Sequence, residues 1–310
     1  MNLIHAALFR HDQPSTLVTA LLDELGRDRI EVDMLKLSGP AFAEVDNRLM
    51  SLQLVQGGFT DAAMFRADGE VVQPSEVLYK RPILVERGSF RPVTNLTLDL
   101  LESAHQQFLE DSRIQGESPI VLMEMTLRDL ATERGIDHRD FLARVDILRE
   151  LGQMVLISNY GRYFRLVEYL TRYTQKLIGI ALGVPSLREV TKEEHYGDLP
   201  GGWLEAAGRL FRRGVKVYVY PYRDPASGEV ITAETLPVAP YLRHLHAHLL
   251  ENGFLEPIRN YDPTHLPIQT RDVLARIQAG DAAWEAMVPP LIVRAIKRDR
   301  LFGWQPAAPG

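Results

Sequence analysis

Five apolar runs separated by helical stretches set the pattern of the chain. Ile83-Leu84-Val85 and residues 120–123, 154–157 and 177–181 are short and apolar, as strands buried on both faces are. Val215–Tyr220 alternates with the period of two that a pleated strand requires. Between the runs, Leu100, Leu101, Ala104 and Phe108 recur at helical spacing behind a cap at Thr94 or Asn95. Two further helical segments flank Gly135, the second capped by Asp137, and a Tyr/Arg-rich helix is expected over 160–173. Strands alternating with helices predict an α/β fold built on a Rossmann-like, doubly wound, mainly parallel sheet.

The flanks read differently. An apolar run at 2–10 predicts a first strand, and Pro14-Ser15 starts a helix that ends near Gly26. Ile30, Val32 and Met34 alternate with charged residues and predict a half-buried strand; a helix over 41–54 is closed by Gly57-Gly58. Ala63-Met64-Phe65 and Val71-Val72 predict a hairpin turning at Asp68-Gly69. Past the core, the turn-rich 224–228 predicts a hairpin or a strand extension at Val230-Ile231. Helices are expected from Pro240 to Asn252-Gly253, from a cap at Thr270, and over 284–303 with an interruption at Pro289-Pro290. The expected divisions are an α/β module over 1–78, a Rossmann-like core over 79–228 and a mostly helical region over 229–310.

Composition narrows the class without choosing a function. The 310 residues can bury a large core, and 25% charged with 45% hydrophobic residues is ordinary for a globular protein. A net charge of −6 gives no reason to expect general nucleic-acid binding. Without cysteine there are no disulfides, thiolate metal sites or cysteine nucleophiles. The first residues lack the pattern of a signal peptide, and no apolar span approaches the roughly 20 residues a membrane helix needs. A cytoplasmic protein without a membrane partner is expected; a homo-oligomer is left open.

In an open parallel sheet, ligands bind beyond the carboxyl ends of the strands. After the first core strand, the loop supplies Arg87, Gly88, Ser89, Arg91, Thr94, Asn95 and Thr97. The next strand ends supply Glu124 and Thr126, then Ser158, Asn159 and Arg162, then Ser186. The set is cationic with one carboxylate, which suits a small anionic or phosphorylated molecule. Loop amides and helix N-termini add donors aimed at an anion. The pocket is expected between 87–95, 124–126 and 158–162. Arg87, Gly88, Ser89, Arg91, Thr94, Asn95, Ser158 and Asn159 would bind the ligand; Arg162 and Glu124 are the expected catalytic residues, Arg162 holding its charge and Glu124 a metal or hydroxyl.

The first loop resembles that of the adenylyltransferase and cytidylyltransferase superfamily, whose pattern is G-x-F-x-P-x-[HT]-x-G-H. Gly88, Phe90, Pro92 and Thr94 match it; Leu96 stands at the pattern's second glycine and Thr97 at its final histidine. In such enzymes the loop cradles a nucleoside triphosphate and that histidine binds phosphate. The resemblance implies a divergent nucleotidyltransferase relative whose nucleotide brings Mg²⁺ with it. A leucine hinders close backbone approach and a threonine supplies no cation, so binding outlasts rate.

Longer stretches, among them LISNYGRYFRLVEYLTRYT and LFRRGVKVYVYPYRD, resemble an uncharacterised bacterial family often labelled TonB-dependent receptor. That label implies a membrane barrel of alternating strands about ten residues long, which this sequence does not contain.

The arginines and tyrosines at 160–173 suit an amphipathic helix better than a ligand site. His244, His246 and His248 diverge around a helix and cannot chelate one ion together; surface positions are expected. His195 lies on a polar run that reads as a solvated loop. No nucleophile elbow, Walker loop or intact dinucleotide fingerprint occurs. The leading function is a small-molecule enzyme for a phosphorylated or nucleotide-like ligand; the alternative is a non-catalytic binding or scaffold protein on the same fold.

Overall fold

The computed structural model describes residues 14–20, 29, 31–114, 116–133, 135–212 and 214–306, with His5 and Phe9. Eight strands form its main sheet: β1 (Ala62–Phe65), β2 (Val71–Val72), β3 (Ile83–Arg87), β4 (Ile120–Thr126), β5 (Met154–Ser158), β6 (Ile178–Gly183), β7 (Val215–Tyr220) and β8 (Leu255–Pro257). Their order is β8-β7-β6-β3-β4-β5-β1-β2. The pairings β8–β7, β7–β6 and β6–β3 are parallel; β5–β1 and β1–β2 are antiparallel. The fold is the expected Rossmann-like α/β architecture, with an antiparallel edge supplied by the early hairpin.

Two compact units divide the chain. One comprises residues 1–77 and 123–161, the other 78–122 and 162–310, so β4 changes unit part-way along its length.

In the first unit, α1 (Pro14–Thr19) and α2 (Asn47–Gly57) pack through Val18, Met50 and Leu54 around Phe59. Several expectations are corrected here. Of residues 2–10 only His5 and Phe9 are described; both are helical rather than extended, with rings 4.7 Å apart as i, i+4 neighbours on one face. From residue 21 on, the helix expected to reach Gly26 lies outside the described residues. Residues 31–38 form no strand. Their backbone groups are taken elsewhere: Val32 N donates to Phe59 O, and the Asn47 side chain bonds both the N–H and the C=O of Leu37. The helix expected over 41–54 starts later because Asp46 caps it, accepting from Arg48 N, and Gly58 at φ 67° closes it.

In the second unit, α3 (Asn95–Leu109) lies over β3 and β6. Register places Leu84 opposite Gly179 and Glu86 opposite Ala181, with Gly179, Ala181 and Gly183 on one face of β6. That face receives α3. A Cβ at Gly179 would lie 2.8 Å from both Leu84 Cδ1 and Phe108 Cδ2, so only glycine admits the helix at this height. On β7, Tyr218 meets the Phe108 ring edge-on at 6.1 Å.

The Tyr/Arg helix contracts to α4 (Tyr163–Leu170), with Arg162 at its N-cap and Phe164, Leu166, Val167, Tyr169 and Leu170 buried. Val230–Ile231 pairs with Tyr222–Arg223 rather than extending β7, because Pro221 ends that strand. Further on, α5 (Gly202–Leu210) and α6 (Arg243–Glu251) precede α7 (Thr270–Ala279), whose N-cap is Gln269 and not Thr270. Residues 284–303 are split by the two prolines into a short 3-10 segment and α8 (Pro290–Asp299). No helix among the described residues is long and apolar enough to cross a membrane.

Candidate functional site

At the carboxyl ends of β3, β6 and β7 the second unit encloses a cavity of about 250 Å³. Three features of the chain produce it. Parallel strands that end together leave a crevice, since each connection turns away over the sheet. The middle strand ends in small residues, Ala181 and Gly183, beneath the first turns of α3. The flanking strands carry larger polar groups on the same face, Glu86 on β3 and Tyr220 on β7.

The loop after β3 forms one wall. Gly88, Ser89, Phe90, Pro92, Leu96 and Thr97 line the cavity. Phe90 is buried in a left-handed backbone conformation, φ 48°, and its ring folds back across Gly88. A Cβ at Gly88 would lie 2.7 Å from that ring, so glycine is required there. Thr94 caps α3 and is fully buried. Its hydroxyl accepts from Thr97 N at 3.2 Å while Thr97 Oγ1 accepts from Thr94 N at 3.3 Å. The threonine at the superfamily's histidine position is therefore committed to a reciprocal cap.

A second helix start forms the opposite wall, where Ile268, Gln269 and Thr270 lead into α7. No side chain caps α7. Two helix N-termini thus border one cavity, and each brings amide donors and a partial positive charge.

Glu86 is the buried carboxyl of the site. It is 5% exposed, and its Oε2 has no hydrogen-bond partner among the described residues. Burial pushes its carboxyl well above the ordinary carboxylate range. Tyr220 is better supplied: its hydroxyl donates to Asp99 Oδ2 at 2.5 Å, and Asp262 N donates to the same oxygen at 2.9 Å. Burial, then the Asp99 bond, raise the Tyr220 hydroxyl pKa, so it stays protonated.

The residues expected from sequence are distributed as follows. Arg87, Gly88 and Ser89 line the cavity with Thr97 and Ser186, and the Arg87 guanidinium lies over the Tyr163 ring, 4.3 Å from its centroid. Arg91 and Thr94 belong to the same loop, Thr94 in the cap; Asn95 donates to Ala286 O at 3.0 Å. Arg162 makes a two-point ion pair with Asp198 at 2.6 and 3.0 Å and lies over Tyr196, whose hydroxyl burial pushes up to about 12. In the other unit, Glu124 is fully buried and accepts from Ser158 Oγ at 2.6 Å, while Asn159 N donates to Asp61 O at 2.8 Å.

Sequence reasoning passed over Glu86, Tyr220, Gln269 and Thr270 as site residues. Glu86 was within reach: it ends the run Ile83-Leu84-Val85 and shares a strand face with Leu84. Tyr220 and Gln269 carry no local signal, since register and a distant helix start bring them to the cavity.

A scan of protein-family models and a search of curated proteins find no match to the chain. Among solved structures it is similar to nicotinic acid mononucleotide adenylyltransferase of Plasmodium falciparum, complexed with APC. That likeness has 9% identity and a TM-score of 0.46, covering 73% of this chain and 98% of that one.

Most of the histidines singled out in the sequence are engaged within the fold. His246 is buried and its Nε2 lies 2.7 Å from Ala233 O, His248 stacks on Phe254, and His195 lies 3.2 Å from Glu189. The buried position of His246 corrects the expectation that all three face outward. Among the described residues no cluster of three His, Asp or Glu side chains could hold a metal ion.

Proposed function

We propose that the protein is a small-molecule enzyme of the nucleotidyltransferase kind, binding a phosphorylated or nucleotide-like ligand in the cavity between β3, β6 and β7. The observation that carries this reading is the meeting of two helix N-termini at one crevice on the carboxyl edge of a parallel sheet. Phosphate placed there would accept from first-turn amides of α3 and α7 and from Ser89. The cavity lies just below the roughly 300–1,000 Å³ usual for small-molecule sites, which suits a ligand no larger than a mononucleotide or a sugar phosphate. Group transfer at this place would depend on positioning and on fixed dipoles, since Thr97 brings no charge.

The test is isothermal titration with nucleoside mono- and triphosphates and ribose 5-phosphate, on the natural chain and on Gly183→Val. Gly183 has extended backbone, and a Cβ there meets only Pro185 Cδ, at 3.4 Å. The added side chain projects into the cavity and should weaken binding by about tenfold or more, a loss of roughly 1.4 kcal/mol, with the melting temperature nearly unchanged. Equal binding by both proteins places the ligand elsewhere. Release of pyrophosphate from a bound triphosphate when a monophosphate of the panel is added, so that its phosphate oxygen takes up the nucleotidyl group as pyrophosphate leaves, identifies an enzyme; binding without release across these pairs leaves a ligand-binding protein on the same fold.

A further inference from the structure

Glu86 is not explained by anion binding. A carboxyl facing a phosphate site would repel the ligand if ionised, and within the protein its Oε2 has no partner among the described residues. The acid that partners the cavity's Tyr220, Asp99, is satisfied by that hydroxyl and by the Asp262 amide. Glu86 also has space beside it, since the residue across the ladder is Ala181 and the next on that face is Gly183. A buried, unpartnered polar group that lines a cavity is one that a ligand atom can complete.

The kind of atom follows from the surroundings. The helix N-termini at the cavity oppose a cationic ligand group. An uncharged partner remains, and a carboxylic acid presents an O–H donor beside a C=O acceptor. An amide, lactam or imide offers the complementary pair, N–H beside C=O, and the two close a double hydrogen bond. We propose that Glu86 reads an uncharged amide-type edge of the ligand, such as that of a lactam-bearing nucleobase, at the end of the molecule away from its phosphate. This rests on the cavity being a phosphorylated-ligand site, as inferred above. Raising of the carboxyl pKa by burial keeps the proton that such pairing needs.

The experiment uses the full chain with three probes: uridine 5′-monophosphate, its N3-methyl derivative in which the imide edge is blocked, and ribose 5-phosphate, which has no base. Titrations are made on the natural protein, on Glu86→Gln, which keeps an uncharged donor and acceptor, and on Glu86→Leu, which keeps neither. Uridine monophosphate should bind the natural protein about tenfold tighter than either other probe. Glu86→Gln should retain that preference within about threefold, Glu86→Leu should abolish it, and neither should alter the binding of ribose 5-phosphate. The inference is overturned if ribose 5-phosphate binds as well as uridine monophosphate. It is also overturned if N3-methylation costs nothing, or if Glu86→Gln loses as much as Glu86→Leu, which would mean that charge is being used. If no probe binds the natural protein at all, ribose 5-phosphate included, the reading of the cavity itself fails and takes this inference with it. Should Glu86→Leu not fold, the methylated probe and Glu86→Gln decide alone.

Discussion

Above pH 4.5, the ordinary value for a glutamate, an unfolded chain releases the proton of Glu86 while the folded chain still holds it. The folded state then binds more protons than the unfolded one, so stability falls as pH rises and stops falling above the folded value. Glu86→Gln has no such proton to lose. The variant should therefore be the more stable protein, with a margin that is small near pH 4.5 and grows with pH. At its full extent the margin should approach the roughly 1–3 kcal/mol that an unpartnered buried polar group costs. Urea denaturation of both proteins from pH 4.5 to 8 reads it; a margin constant with pH would mean that the folded carboxyl loses its proton together with the unfolded one, so that burial does not raise its pKa. Arg162 is a contrasting residue. Its two-point pair with Asp198 lies at the surface, where ion pairs contribute little, and its place at a strand end was all that the sequence offered in its favour.

Among the elements, the loop after β3 and the start of α3 were the most legible. A run of three apolar residues, a Gly/Ser/Phe/Pro loop and two threonines three apart contain the strand, the turn and the capping box in order. Thr94→Ala removes one side of that box and should cost about 1 kcal/mol in chemical denaturation. Because Thr94 is not among the residues that line the cavity, the same variant should keep its ligand affinity better than its stability. A fall in affinity with unchanged stability would show that Thr94 touches the ligand instead. Residues 31–38 show where such reading stops. Val32 and Met34 carry a strand's alternation, but the sequence does not announce that Asn47 takes both backbone groups of Leu37. Alternation states which face is apolar; only the available hydrogen-bond partners decide whether the backbone joins a ladder.

For the whole molecule, alternating strands and helices sufficed to predict the parallel sheet, while strand order lay beyond the sequence. The carboxyl ends of β3, β6 and β7 became neighbours only through that order. For the same reason Ser89 and Ser186 were named in advance as polar residues at separate strand ends, while the partners that complete their cavity, Glu86, Tyr220 and Gln269, were not. Gly179, at the start of the helix-facing run Gly179, Ala181 and Gly183, acts at a distance from that cavity. It is the notch on which the rear of α3 sits, with the Phe108 ring against it and the Thr94 cap at the far end of the helix. A methyl group inserted there works as a shim under one end of a beam. Gly179→Ala should cost about 1–3 kcal/mol of stability through overpacking and tilt the helix mouth, so that affinity falls although no ligand contact has been touched. Denaturation together with titration of the same variant measures both, and unaltered affinity in a destabilised protein would show that the beam bends instead of tilting.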